Sequence, residues 1–276
     1  MKLKALSLSL ATTALVALSL PSLAQDKTGS NVSTAGSGEP GATATLAMAY
    51  ELYALGAAEG DALTVLTAAR LAAGATVEPG EPAALDPATV EVTGSGQGAF
   101  AKRKASGASP AAPAPVMNDG SPRPAMVTTF AAEGVETSED DGATAAPPTA
   151  DEMFAKAMEL AGDDEALKAI IEDAQAETSR GRIGGGVSWL SRLPSGKIDV
   201  WEVPFYGNSY AEVAVVGDGD ANLDMVITDE NGNVICYDVS PSDQVYCDFV
   251  PAWDGYFYIT VENAGRSRNS YYLMTN

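Results

Sequence analysis

Three aspartates in one short stretch are the residues of this chain whose type and spacing best suit a chemical role. Asp218, Asp220 and Asp224 lie on a Gly- and Asp-rich loop and at the start of the strand expected after it. Their oxygens are hard ligands, and Ca²⁺ takes ~6–8 of these, so the three side chains are a candidate calcium site. The run lacks the glycine position and closing glutamate of an EF-hand loop. The alternative is that these carboxylates cap turns by accepting backbone hydrogen bonds.

The two cysteines predict a disulfide. Cys236 and Cys247 flank the segment 240–243, which has Ser first and Pro second, as turns prefer. If this turn closes a hairpin, the two residues face each other on neighbouring strands. Their Cβ atoms would then lie ~4.5–5.5 Å apart, close to disulfide geometry. Two reduced, buried thiols are the alternative.

Aromatic side chains in the last third of the chain offer a second candidate site. Tyr256 and Tyr258 alternate with Phe257 and Ile259, so we expect the two tyrosines to face outward and to be available to a polysaccharide or peptide ligand. The other large aromatic candidates for such a strip are Trp189, Trp201, Trp253, Tyr271 and Tyr272. The alternative is inward packing, because a sandwich core needs large side chains.

The chain contains no histidine. This absence excludes Ser-His-Asp and Cys-His catalytic groups, His-based zinc centres and His general bases. A hydrolase that uses carboxylates alone remains as an alternative, although acidic residues are so abundant that no pair stands out. We therefore expect a protein without catalytic residues that is not an enzyme.

The first 24 residues have the pattern of a signal peptide. Lys2 and Lys4 precede an apolar run over residues 5–20 that is short for a bilayer span, and small residues precede a cleavage point between Ala24 and Gln25. No cysteine near that point could accept a lipid. We expect a periplasmic or secreted protein without membrane insertion; an uncleaved anchor helix is the alternative.

The charge of the chain restricts its partners. A formal net charge of −21 disfavours nucleic acids, whose phosphates need stripes of Lys and Arg. An envelope or extracellular protein or polysaccharide is the partner class that remains. Solubility alone is the other explanation of the acidity.

Apolar residues at helical spacing predict two helical hairpins, over residues 43–74 and 149–178. Asp61 is expected as an N-cap and Gly74 as a C-terminal stop, and Thr149 with Glu152 forms a capping-box pattern. Neither hairpin buries enough surface alone, so we expect them to pack on each other or on the C-terminal domain.

Two segments lack any sustained period. Residues 25–42 are polar and rich in Gly and Ser, which is typical of a flexible leader. Residues 75–148 are rich in Ala, Pro and Gly, so we expect a long disordered insertion there, because so little apolar surface cannot offset the chain entropy.

From residue 183 to residue 276 the apolar period is two, which predicts an antiparallel β-sandwich. The expected strands are 187–193, 198–205, 210–216, 223–228, 234–239, 244–250, 256–261 and 271–274. Turns rich in Gly, Asn and Asp separate them.

Five segments of this region resemble bacterial pre-peptidase C-terminal domains: residues 201–204, 212–220, 222–232, 249–259 and 261–263. The resemblance covers about the last third of the chain. It implies a jelly-roll-like sandwich, a fold that is usually appended to secreted hydrolases and associated with export, processing or attachment to extracellular polymers. Some members bind Ca²⁺. No hydrolase precedes the domain here, so the resemblance does not imply service to a neighbouring protease.

The sequence thus predicts an α+β multidomain chain with small N-terminal helical hairpins and a C-terminal sandwich. The expected function is that of a non-enzymatic binding or accessory protein, which attaches through the sandwich to an envelope or extracellular polymer or protein. The alternatives are a carboxylate-only hydrolase and a calcium-stabilised structural module.

Overall fold

A computed structural model describes residues 27–34, 36–94, 98–104, 116–121, 123–132, 146–177 and 183–276. The predicted signal peptide lies outside these residues. The helices are α1 (Ala42–Glu59), α2 (Ala62–Gly74), α3 (Ala150–Leu160) and α4 (Glu165–Glu177). The first strands are β1 (Ala75–Pro79), β2 (Ala83–Ala84), β3 (Val90–Thr93), β4 (Phe100–Arg103), β5 (Met126–Ala131) and β6 (Ile183–Leu193). The others are β7 (Lys197–Phe205), β8 (Ala211–Val216), β9 (Leu223–Asp229), β10 (Val234–Asp238), β11 (Gln244–Phe249), β12 (Gly255–Asn263) and β13 (Asn269–Thr275).

Two stacked sheets form the centre of the molecule. The first has the strand order β1-β6-β13-β8-β11, and the second has the order β10-β9-β12-β7-β5-β2. Apolar side chains alternate along each strand, as in β12, where Phe257, Ile259 and Val261 enter the space between the sheets. The predicted α+β chain with a β-sandwich is confirmed, with parallel pairing of β1 on β6 and of β2 on β5.

The helices cover the outer face of the first sheet. Side chains from all four helices form one apolar cluster with Ala214, Val216 and Met274 of the sheet, as expected for hairpins that cannot be stable alone. Asp61 caps α2, and Thr149 with Glu152 forms the predicted capping box. α2 ends at Gly74, as expected, but Gly74 is its last helical residue and not a residue beyond the cap, and the chain continues directly into β1.

A two-stranded ribbon of β3 and β4 covers the outer face of the second sheet. Its side chains pack with Ile198, Val200 and Tyr258 of that face. Thr228 donates a hydrogen bond to the carbonyl of Ala101 on β4. The expectation of disorder over residues 75–148 is therefore wrong for the described parts, which contribute β1 to β5; the rest of that range lies outside the described residues.

Residues 27–34 and 36–41, which we call the N-terminal strap, lie against one end of the sandwich. Asn31 is fully buried: its backbone N–H donates to Asp229 Oδ2 at 2.9 Å, and its side chain bonds both the N–H and the carbonyl of Trp253. Ser33 N donates to the carbonyl of Val250 at 2.8 Å. The expectation of a flexible leader over residues 25–42 is wrong for this strap, because long-range hydrogen bonds replace the missing periodicity.

The disulfide joins the two sheets. Cys236 and Cys247 are bonded, with their Cα atoms 6.5 Å apart, which confirms the predicted pairing. The predicted hairpin is wrong, because β10 pairs only with β9 and β11 only with β8, in different sheets. The bond therefore closes one open side of the sandwich.

A chain crossing closes the opposite side of the sandwich. β1 ends on the edge of the first sheet and β2 begins on the edge of the second, so residues 80–82 pass between them. Gly80 N donates to the carbonyl of Ser188, and Ala83 N donates to the carbonyl of Ala125. Among the described helices, none is both long and apolar enough to cross a membrane.

Candidate functional site

An apolar cleft opens at the end of the sandwich beside this crossing. Its volume is about 590 Å³, within the ~300–1,000 Å³ of ordinary ligand sites. The core residues Trp189 and Phe205 reach its floor, and the exposed ring of Tyr206 and the half-buried ring of Tyr210 line it from the β7–β8 loop. The cleft, which we call the aromatic cleft after these four rings, is thus a mainly apolar site whose parts come from several segments of the chain.

The indole N–H of Trp189 is a hydrogen-bond donor at this cleft, and it differs from the other two indole N–H groups of the chain in having no acceptor inside the fold. The chain has three tryptophans, and two of them use this group internally: Trp201 Nε1 donates to Tyr271 Oη, and Trp253 Nε1 donates to Glu230 Oε1, both at 2.7 Å. In the part of the chain that the structure describes, Trp189 Nε1 has no hydrogen-bond partner. A ligand in the cleft that carries an acceptor could therefore receive a hydrogen bond there.

Small residues create the space of the cleft. A Cβ atom at Gly80 would lie 2.5 Å from Trp189 Nε1, so the backbone packs closely beside the indole edge and any larger residue here would clash with it. Ala125 and Ala211 form further parts of the lining, and both are nearly fully buried. A larger side chain at any of these positions would fill part of the site.

The N-terminal strap supports one wall of the cleft. A Cβ atom at Gly38 would lie 2.1 Å from Cγ of Tyr210, so the strap backbone rests directly on this ring. Tyr210 Oη lies 3.5 Å from Tyr246 Oη, and Tyr246 in turn donates to Glu212 at 3.0 Å. Burial raises the pKa of Tyr210 and of Tyr246, which keeps both hydroxyls protonated. The wall is therefore held by packing and by hydrogen bonds that lead from the protonated tyrosine hydroxyls to the Glu212 side chain.

The cleft has two charged lining residues, one exposed and one half-buried. Glu81 and Arg123 are among its lining residues. Arg123 also lies near Glu202, which is buried under the ribbon and accepts a hydrogen bond from Tyr258 at 2.8 Å. Burial raises the pKa of Glu202, against the opposite effects of this hydrogen bond, Arg103 and Arg123. Glu202 is thus not presented to a ligand in the cleft.

The structure does not bring Asp218, Asp220 and Asp224 together as the expected calcium site. Asp218 accepts hydrogen bonds from the backbone N–H groups of Ser270 (2.8 Å) and Asp220 (3.1 Å), so it caps its turn. Asp224 lies on β9 and accepts from Asn222 Nδ2 at 2.9 Å. Among the described residues, no group of three or more His, Cys, Asp or Glu side chains is placed to hold a metal.

Asp224 instead belongs to a buried acidic pair. It lies directly opposite Glu262 on β12, and both side chains are nearly fully buried. Burial raises the pKa of Asp224, and the negative charges of Glu262 and Asp238 raise it further, while the hydrogen bond from Asn222 lowers it. Its Oδ2 atom is buried and has no hydrogen-bond partner. Burial beside Glu262 thus disfavours the ionised form of Asp224.

Tyr256 and Tyr258 are buried, with exposures of 1% and 0%, so the expectation of an exposed ligand pair is wrong. They do point away from the space between the sheets, as the alternation predicts, but that outer face is covered. Tyr258 packs under the β3–β4 ribbon and bonds Glu202. The inward-packing alternative holds for Trp201 and Tyr271, which are 1% and 0% exposed.

Each of two further cavities has one acidic side chain and so lacks a pair of carboxyl groups. One, of about 450 Å³, lies between the helices and the first sheet and has Asp151 as its single acidic side chain. The other, of about 480 Å³, lies beside the ribbon and has Glu91. The aromatic cleft likewise has one acidic side chain, Glu81. None of these three cavities offers the two carboxyl side chains of a glycosidase.

The sequence signal for the cleft was weak. Trp189 was among the aromatic candidates, but Gly80, Tyr206, Tyr210 and Arg123 were not singled out. They lie far apart in the sequence, and Gly80 and Arg123 fall in a segment without any periodicity. The clearest clue in the sequence was Trp189 itself, a large aromatic side chain in the strand expected over residues 187–193.

Comparisons with known proteins add little. No described protein family and no curated protein matches this chain. Among solved structures, it is similar to the pre-peptidase C-terminal domain of collagenase from Bacillus anthracis, with a TM-score of 0.22 and 14% sequence identity. The match covers 33% of this chain and 76% of that chain.

Proposed function

We propose that this protein is a non-enzymatic binding or accessory protein of the periplasm or the extracellular space, which attaches to an envelope or extracellular protein through the aromatic cleft. The cleft, with its unpaired Trp189 indole N–H, is the observation that carries the proposal. An apolar pocket with a few polar groups is the usual form of a binding site.

The chemistry of the cleft favours a protein partner over a polysaccharide. Its lining is mainly aromatic and aliphatic, and of its two charged residues Glu81 is exposed and Arg123 is half-buried. A buried apolar anchor surrounded by a polar rim is the arrangement in which a few side chains of a partner protein supply most of the binding energy.

The non-enzymatic part of the proposal is supported by the sequence and by the cavities. The chain has no histidine, and each of the three cavities described above has a single acidic side chain. The buried acids Glu202 and Asp224 have raised pKa values, but both lie on the covered outer face of the second sheet.

The proposed location is supported by the signal-peptide pattern of residues 1–24 and by the disulfide, which persists in oxidising compartments. Fractionation of expressing bacteria, followed by N-terminal sequencing of the exported protein, tests it. The expected result is a periplasmic or secreted chain that begins at Gln25. A cytoplasmic chain that retains residues 1–24 would contradict it.

Attachment through the cleft is tested with a cleft-filling variant. Ala125→Leu should fill part of the cleft and reduce co-sedimentation of the purified protein with bacterial envelope fractions. Ala84→Leu is the matched control, because it is the same change at an exposed position on the neighbouring strand β2. Equal sedimentation of the two variants, both folded by circular dichroism, would refute the role of the cleft.

A further inference from the structure

We infer that the cleft binds a proline-rich segment in the polyproline II conformation; this inference rests on the proposed function and names the partner chemistry. Such a segment is an extended left-handed helix without internal hydrogen bonds, so its carbonyl groups remain free to accept. Grooves that bind it combine aromatic faces for the proline rings with a donor for a peptide carbonyl.

The aromatic part of this chemistry is present. The exposed ring of Tyr206, the half-buried ring of Tyr210 and the side chains of Trp189 and Phe205 line one continuous cleft. Flat, rigid aromatic side chains lose little conformational entropy when they bind apolar rings. Proline rings likewise bring little entropy to lose, since their φ angle is already fixed.

The donor is also present. Trp189 lines the cleft and its Nε1 has no hydrogen-bond partner among the described residues, while the indole N–H groups of Trp201 and Trp253 are used inside the fold. A partner carbonyl is the acceptor that this donor fits best, because a polyproline II helix presents carbonyls without partners of their own. One donor suffices to fix the direction of such a ligand in an otherwise apolar groove.

The other common way to bind an extended peptide, by adding a strand to a sheet, is blocked at the cleft. The edge of the first sheet there is β1, the edge of the second sheet is β2, and residues 80–82 cross between them. Gly80 N and Ala83 N already donate to Ser188 and Ala125. A ligand of this cleft is therefore held by side-chain faces and by single hydrogen bonds, which suits polyproline II better than a β-strand.

The experiment is a titration of the ¹⁵N-labelled full chain with octaproline, followed by the three tryptophan indole N–H resonances. We expect the Trp189 resonance to shift and saturate, while those of Trp201 and Trp253 stay in place. Trp189→Phe keeps an aromatic ring, although a smaller one, and removes the donor, so its Kd, measured by calorimetry, should rise about five- to tenfold. Tyr206→Ala should weaken binding similarly, and Tyr237→Ala, a change of an exposed tyrosine on the distant strand β10, should leave the Kd unchanged.

Two further probes separate this inference from the proposed function. Octaproline made of D-residues has the opposite hand, so it should not compete. Two results would overturn the inference of a proline-rich partner. In the first, the D-form binds as well as the L-form; in the second, maltohexaose or N-acetyl-leucinamide shifts the Trp189 indole resonance and octaproline does not. Ligand binding in the cleft would stand in both cases. If none of these probes shifts the Trp189 resonance, both the inference and the proposed function of the cleft fail.

Discussion

Replacing Asn31 tests whether the N-terminal strap is an integral part of the fold. The side chain of Asn31 accepts from Trp253 N at 2.9 Å and donates to the carbonyl of Trp253 at 3.1 Å. Asn31→Ala leaves both of these backbone groups without their partner. A buried polar group that loses its partner costs about 1–3 kcal/mol, so the loss of stability should be about 2–4 kcal/mol once partial relaxation is allowed for.

Asn31→Asp should be more harmful than Asn31→Ala. The aspartate cannot donate to the carbonyl of Trp253, and it brings a negative charge next to Asp229 and Glu230. The expected order of stability is therefore wild type, then the alanine variant, then the aspartate variant. Thr34→Ala is the control, since it changes an exposed residue of the same strap and should fall within about 0.5 kcal/mol of wild type.

Urea denaturation followed by tryptophan fluorescence measures the global effect, and amide hydrogen exchange of Ser33 measures the local one. The Ser33 N–H donates to Val250 across the strap contact, so it should exchange faster in both Asn31 variants. An alanine variant that matches Thr34→Ala in stability and keeps Ser33 protected would refute the view that the strap is a fixed structural element.

Three further predictions follow from buried groups elsewhere. Tyr271→Phe removes a buried hydroxyl that accepts from Trp201 Nε1 and donates to Asp199, so the free energy of unfolding in urea should fall by about 2–3 kcal/mol. Tyr237→Phe, at an exposed position, is the control and should leave the free energy of unfolding almost unchanged. Reduction of Cys236–Cys247 should cost about 3 kcal/mol, as expected for a loop of this length, and a Cys-to-Ser double variant should no longer respond to reductant. Asp224→Asn should stabilise the protein at neutral pH. The raised pKa of Asp224 means that the folded state binds its proton more tightly than the unfolded chain, so the contribution of Asp224 to stability falls as pH rises above about 4. Thermal melts of both proteins from about pH 4 to 7 should show the difference in favour of the variant growing with pH. An advantage that is constant over this range would contradict the assignment.

The β-sandwich was predictable because the sequence pattern that specifies it lies within each strand and turn. Alternation along strands such as β9 and β12 decides which side chains are buried between the sheets, and glycine-rich turns separate the strands. The helical hairpins were predictable for the same reason, since the capping groups Asp61 and Thr149 act within a few residues of their own helix.

The rest depends on contacts between distant segments. The strap has no period, yet Asn31 is fixed by residues about two hundred positions away. The outward direction of Tyr258 follows from alternation, but its burial depends on a ribbon in a segment rich in Ala, Pro and Gly. The partners of β10 and β11 are likewise not set by the turn between them, because each strand gains more from the sheet beside it than from a hairpin.

We propose that the aromatic cleft is the binding site of this protein. A crystal structure of the full exported chain with bound octaproline, or with another probe that shifts the Trp189 resonance, tests it most directly. We expect electron density for the ligand between Trp189 and Tyr206, with an acceptor within hydrogen-bond distance of Trp189 Nε1. A ligand bound at a different surface, with the cleft filled by the protein's own side chains, would contradict it.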